Sequence, residues 1–398
     1  MDVYTELLRW ATDQGIQIHG IEPRRLPGRG IGIVATQQIE PDTLLLQIPI
    51  TALRTHDTIP SPILQAHPKD APVHGLLATT LALDTTPTYA AWNAVVPSRA
   101  EVESTLPLCW PKSLHRFLPK PAQDLLTKQA AKFERDWSLF STSPLFPSLS
   151  SSLSKETYKY NWLLVNTRTF YHDPTFSSSP PKKKKVPRDD RMVLQPVADL
   201  FNHADAGCAV SFDEDSFTIT ADRRYTPGEE VRICYGRHTN DFLLVEYGFI
   251  LASNTVSDKN DTEVNKWDEV SLDEALLPEL STAQKERLAE TNFLGGYVLD
   301  AETVCYRSQV ALRMLVVSLA RWRAFVDGED EAVDDEEAQE KADRLLVRIL
   351  KKYVVRIEGR LDEIDECEDG EPSQRQMLAQ RWRQIQGLVE KTIARLEA

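Results

Sequence analysis

Four short stretches of this 398-residue chain combine residue types and spacings that can do chemistry. In DLFNH an Asn-His pair, Asn202 and His203, follows an apolar run opened by Asp199. A buried Asn-His pair is costly unless its donors and acceptors are met, so either the fold or a ligand must meet them; Asp199 reads equally well as a turn or cap acid. In NTRTF, Arg168 offers a planar fork for a carboxylate or a surface salt bridge worth little. In GRGIG, the glycines of Gly30-Ile31-Gly32 let backbone approach a ligand closely, although a tight turn before a strand reads the same way. No third glycine follows and no helix opens after it, which excludes the dinucleotide fingerprint. The fourth stretch holds ICYG and EYGF. Tyr235 ends a strand-like run, and its phenol, with an ordinary pKa of about 10, is a poor base at neutral pH. Tyr247 and Phe249 close the stretch as aromatic residues that on their own read as ordinary packing at a helix end.

Certain elements must position these groups. Residues 28–50 read as two short strands with a turn at Glu40-Pro41-Asp42. From about 60 to 175 the texture is helical, clearest in HGLLATTLALD and KETYKYNWLLVNTRTF. Strand texture returns in MVLQPVADL, CAVSF, FTITA and VRICY, and TNDFLLVEYGFI reads as a short helix capped by Thr239 or Asn240. Beyond about 265 the chain reads as helical, with Leu345, Leu346, Ile349, Tyr353, Ile357, Leu361 and Ile364 on one face. The acidic run between Asp327 and Glu340 reads as a solvated loop or frayed helix end. Each β part is too small to bury a core alone, so the two are expected to be halves of one sheet domain.

Taken in order, GRGIGIVA, NTRTF, DLFNH, and ICYG with EYGF resemble the SET-domain methyltransferases. The long helical insert, and a helical tail in place of a cysteine-rich segment, resemble the Rubisco large-subunit methyltransferase type. The resemblance implies an α+β fold, with a SET-domain β-fold split by a helical insert and followed by an all-helical C-terminal domain. The expected boundaries are 1–51 and 191–255 for the split SET domain, 52–190 for the insert with a flexible basic loop at 176–190, and 256–398 for a helical substrate-binding domain.

The resemblance also implies a cofactor and roles. S-adenosylmethionine (AdoMet) would donate a methyl group to a lysine amine in an in-line displacement, which rests on positioning and electrostatic fit and requires no metal. Gly30 and Ile31 would make the first cofactor contact. Arg29 stands where several relatives carry an acidic or polar residue, and would touch the cofactor differently. Asn202 would fix the amino-acid end of AdoMet, since an amide with donors and an acceptor suits a zwitterion, and the His203 backbone would pair with the adenine edge. Arg168 would clamp the cofactor carboxylate or hold the insert in place near the substrate, and Asp199 would brace the loop beside the lysine ammonium. Tyr235 would orient the amine next to the sulfonium methyl, so it touches cofactor and substrate alike. Tyr247 would share the catalytic channel, with Phe249 lining it and the cofactor.

The function so implied is N-methylation of a lysine on a non-histone protein: a ribosomal protein, a translation factor or a chromatin-associated factor. A histidine acceptor and an inactive SET-like binding module are the alternatives, and the presence of Tyr235 and Asn202 weighs against the second. The formal net charge of −14 argues against nonspecific binding to nucleic acid or anionic membrane and suits a basic protein partner. The five scattered cysteines contain no C-x-x-C, so neither a disulfide framework nor a zinc cluster is indicated. The N-terminus reads as an amphipathic helix rather than a signal peptide. No apolar run is long enough to span a bilayer, and nucleus or cytoplasm is the expected location. Lys182, Lys183, Lys184 and Lys185, flanked by proline, resemble a nuclear import signal and would engage an import receptor.

Overall fold

The computed structural model describes residues 2–84, 86–149, 154–172, 191–251 and 265–398. The basic loop with Lys182–Lys185 and the expected boundary at 255/256 lie outside the described residues. Two compact units emerge: Met1–Cys109 with Leu126–Arg237, and Trp110–Leu125 with His238–Ala398. Most of the insert therefore clusters with the sheets, while residues 110–125, read from sequence as insert, cluster with the C-terminal unit.

The first unit opens with the helix Val3–Asp13, whose first turn is closed by the Asp2 carboxylate accepting from Tyr4 N and Thr5 N and whose apolar side buries Leu7 and Ala11. Four strands precede the insert: β1 (Gln17–Ile18), β2 (Ile21–Leu26), β3 (Gly30–Ala35) and β4 (Leu44–Pro49). Five follow the first insert helices: β5 (Thr169–Tyr171), β6 (Met192–Leu194), β7 (His203–Phe212), β8 (Ser216–Thr220) and β9 (Glu230–Val231). They form sheets ordered β1-β4-β8-β7, β2-β3-β9 and β5-β6. Early strands thus close on late ones: Ile33 pairs with Val231 and Ile48 with Phe217. Ile33, Val34 and Ala35 are all buried, so both faces of β3 are covered and the alternation of a half-exposed strand is absent.

Of VRICY only Val231 lies in a regular strand, β9 (Glu230–Val231). The chain then turns aside, and Ile233 bridges in parallel to His203 and Cys208. Gly207 permits this crossing: a Cβ there would lie 2.5 Å from Arg232 O. The turn before DLFNH is strained, since Val197, a β-branched residue, adopts φ +70°.

In the insert, the helices Val73–Leu83 and Lys155–Arg168 pack around His74, whose ring stacks on Trp162 at 4.1 Å. His74 Nε2 donates to Trp162 O at 2.9 Å, while its buried Nδ1 has no partner. Burial, reinforced by Lys132, holds the His74 pKa down to about 3. The unfolded imidazole binds a proton near pH 6.5 and the folded one does not, so stability is full above that pH and drains as pH falls toward 3. Between pH 6 and 4 this histidine alone should lower the unfolding free energy by about 1.4 kcal/mol per pH unit. Denaturant titrations of the native chain and of His74→Gln should show a shallower slope in the variant.

Among its described residues the second unit is mainly helical, with one pair of two-residue strands, β10 (Val270–Ser271) and β11 (Val298–Leu299). Its two longest helices are Glu336–Asp365 and Pro372–Glu397. Of the expected apolar face, all but the half-buried Leu361 are buried; each such Leu or Ile contributes roughly 1.5–3 kcal/mol. The acidic run is helical rather than loop. Asp330 and Glu331 lie in the first turn of the helix Asp330–Val333, and Asp335 caps the next helix by accepting from Ala338 N at 3.0 Å. Carboxylates at helix N-termini meet free N–H groups and the positive end of the helix dipole. Trp382 Nε1 donates to Phe117 O at 2.6 Å and so ties residues 110–125 to the C-terminal helix.

Candidate active site

The crossing of 202–208 by 232–235 brings three of the sequence candidates together. Ile233 N donates to Asn202 O at 3.1 Å, Tyr235 N to the His203 ring at Nδ1 at 3.0 Å, and the Tyr235 hydroxyl to Phe201 O at 2.6 Å. The His203 and Tyr235 rings lie 5.0 Å apart. Accepting from a backbone N–H fixes His203 with its proton on Nε2. Asn202 is only half-buried while His203 is buried, and the fold answers part of what the pair demands: the His203 ring is the clamp that sets the Tyr235 backbone.

The Asn202 amide donates to Glu230 Oε1 at 2.7 Å, and Glu230 Oε2 accepts from Arg29 at 3.0 Å and from Arg232 at 2.8 Å. Glu230 is a hub that reading the sequence for sites missed; its only signal was the P-G-E-E run before ICYG. Arg29 is held by this hub. The two glycines of Gly30-Ile31-Gly32 serve different ends. Gly30 has φ +71°, as the hairpin between β2 and β3 requires. At Gly32 a Cβ would lie 2.6 Å from Leu26, 2.7 Å from the Asn202 amide and 2.9 Å from Glu230, so glycine is needed there for the Asn202–Glu230 pair to sit down.

Arg168, the last residue of its helix, meets Asp199. Its Nε donates to Asp199 Oδ2 at 2.9 Å, and Trp92 Nε1 donates to the same oxygen at 3.0 Å. The other carboxylate oxygen, Oδ1, is buried with no partner. Burial pushes the Asp199 pKa up, and the Arg168 guanidinium opposes that rise. The pair lines a cavity of about 200 Å³, with Trp92, Asn93, Tyr160, Asn161 and Leu194 among its walls. Arg168 therefore is not a solvent-exposed ion pair, and Asp199 braces the insert through Trp92.

Tyr247 and Phe249 belong to the second unit. The helix Asn240–Tyr247 starts at Thr239, whose hydroxyl accepts from Phe242 N at 3.2 Å, and ends at Gly248 with φ +81°. The Tyr247 ring lies 6.2 Å from Phe249 and 6.4 Å from Phe242, which stacks on His238 at 4.1 Å. Burial pushes the Tyr247 pKa up to about 12, so its hydroxyl keeps its proton. Among the described residues no group of three or more His, Cys, Asp or Glu side chains is placed to hold a metal ion, and no helix is long and apolar enough to cross a membrane.

Comparison with known proteins follows the same division. The SET domain model matches residues 30–236. The chain belongs to the SET-domain family. The model of the ribosomal lysine N-methyltransferase 2 C-terminal domain matches residues 268–395 of this SET protein. It is 27% identical over 270 residues to human SET domain-containing protein 4, covering 63% of this chain and 59% of that one. To the Schizosaccharomyces pombe ribosomal lysine N-methyltransferase set11 it is 30% identical over 171 residues, covering 42% and 38%. The SET protein thus spans less than two thirds of the length of these relatives. A solved structure of Rubisco LSMT bound to sinefungin and monomethyllysine shares the fold, with a TM-score of 0.63 at 14% identity, covering 100% of this chain and 92% of that chain.

Proposed function

We propose that this SET protein is an AdoMet-dependent protein methyltransferase whose acceptor is a lysine on a ribosomal protein. One observation carries the cofactor reading: a buried carboxylate oxygen without a partner stands beside an arginine on the wall of one cavity. The amino-acid end of AdoMet is a zwitterion. Asp199 Oδ1 would hold its ammonium, and Arg168, whose Nε alone is engaged by Asp199, would hold its carboxylate. An orphaned buried acceptor costs about 1–3 kcal/mol, and ligand binding relieves that cost.

When bound, AdoMet supplies an electrophilic methyl group. The chain's own residues do the rest. Tyr235, its proton committed to Phe201 O, turns oxygen lone pairs outward to accept from an incoming amine and orient it. Asn202, held by Glu230, and His203, held by Tyr235 N, set the floor on which these groups stand. Tyr247 and Phe249, in the second unit, are the aromatic pair that the family resemblance assigns to a lysine stem. The lysine acceptor and its ribosomal origin are supported by the matched C-terminal domain and by set11.

The test combines purified protein, methyl-labelled AdoMet and total ribosomal protein from cells lacking this chain. Label on a lysine of a ribosomal protein is the expected result. Label on histidine would replace the acceptor, and no AdoMet binding by calorimetry would sink the enzymatic reading. Arg168→Lys serves as a sharper probe of the cavity. Losing the fork while keeping the charge should weaken AdoMet binding by roughly 10- to 100-fold, the scale of one or two hydrogen bonds to a charged group.

A further inference from the structure

We propose that Arg381 and Gln384, on the helix Pro372–Glu397, are positioning residues that hold Tyr247 and Phe249 and so set the shape of the acceptor channel; the proposal rests on the methyltransferase reading above. A closed polar ring surrounds one short segment. Asn240, the first residue of its helix, and Leu251, two residues past Phe249, are bonded to each other in both directions: Leu251 N donates to Asn240 Oδ1 at 3.0 Å, and Asn240 Nδ2 donates to Leu251 O at 3.2 Å. Gln384 reaches both ends at once, donating to Leu251 O at 2.7 Å and accepting from Asn240 Nδ2 at 2.9 Å.

Arg381 anchors the same start. Its Nε donates to Asp241 at 2.7 Å and its Nη1 to Asp268 at 2.6 Å, while the other Asp268 oxygen accepts from Asn240 N at 2.9 Å. Arg381 is wholly buried and Asp241 nearly so. Apolar residues of similar volume would pack two helices at least as well as a buried ion cluster does. What the cluster adds is direction, because hydrogen bonds fix orientation where apolar contacts only fix proximity. Every bond from Gln384 to this segment lands on one of its two ends, and the two aromatic residues lie between them. With both ends tied and Gly248 supplying the left-handed bend, the rings of Tyr247 and Phe249 have one placement. The C-terminal helix thus acts on the aromatic pair through the two ends of the segment that carries it.

The test is Gln384→Met, which keeps volume and removes the ties to both ends. Amide hydrogen exchange should rise at least tenfold in 240–251 and stay unchanged in 345–353. Half-saturation in total ribosomal protein should rise at least fivefold, or the mix of mono-, di- and trimethylated product should shift, with the AdoMet KM within twofold of native. Unchanged exchange in 240–251 overturns the proposal, as does faster exchange with acceptor kinetics and product mix unmoved, or faster exchange everywhere. A native chain that binds AdoMet but methylates nothing overturns the methyltransferase reading, and the channel assignment falls with it; loss of the segment effect alone, in an active enzyme, overturns only this proposal.

Discussion

Tyr235→Phe is expected to slow methyl transfer by roughly two to three orders of magnitude, the usual cost of removing one preorganised polar contact to the reacting groups. The expectation comes from how the phenol is held. Its backbone N–H is fixed by the His203 ring and its hydroxyl proton by Phe201 O, so the oxygen is oriented before any substrate arrives. Phenylalanine keeps the ring and its packing at 5.0 Å from His203 but removes the oxygen. AdoMet affinity should stay within a few-fold, because the Arg168–Asp199 cavity is untouched. Stability should fall by only about 1 kcal/mol, the net worth of an ordinary hydrogen bond. Initial rates with labelled AdoMet, read beside calorimetric binding, separate the two quantities. A variant rate within threefold of native would remove Tyr235 from the chemistry.

Arg381→Met is expected to cost the second unit about 3–5 kcal/mol, the penalty for leaving buried carboxylates without their cation. Asp241 feels this most. Burial already pushes its pKa up, and the Arg381 guanidinium is what opposes the rise. Without that guanidinium the folded pKa climbs further above the unfolded value of about 3.9, so the folded state binds the proton more readily than the unfolded one. The Asp241 contribution should therefore fall as pH rises, and the deficit against native, in which the His74 contribution cancels, should be smaller at pH 5 than at pH 7.5. Urea denaturation at both values checks the sign. Adding Asp241→Leu to Arg381→Met should recover part of the loss, since an apolar pair needs no cation. A deficit below 1 kcal/mol at pH 7.5 would show that water already reaches the cluster.

Much of the local structure around the candidate site was legible from local pattern. The helix holding Tyr247 was readable because Thr239 has the side chain of an N-cap and Gly248 that of a left-handed stop. DLFNH and ICY stood out as candidate sites because they occur in the order of a family. What they touch was not readable. Glu230, the hub for Asn202, Arg29 and Arg232, is an unremarked acid in a turn-like run until β9 is laid against β3. Trp92 meets Asp199 across 107 positions of sequence, and no periodicity reports a contact of that range. VRICY looked like one strand because Val, Ile and Tyr all favour strands; the structure divides its bonding between Glu230–Val231 and the bridges of Ile233, because two segments compete for one stretch. The acidic run read as a solvated loop or frayed helix end because charge density masks helix propensity, while the dipole and caps reward the same carboxylates.

The pairing of Val34 with Glu230 has a consequence for how the protein is made. A ribosome adding roughly 5–20 residues per second needs about 10–40 s to travel from one partner to the other. Through that interval β3 is a sheet edge without its second neighbour, carrying Ile33 and Val34, which the finished fold buries completely or nearly so. An unpaired apolar edge is what chaperones bind and what aggregation begins from. Nascent chains stalled before residue 230 should therefore be cut rapidly by protease within 30–35, and chains released past residue 237, where the first compact unit ends, should resist.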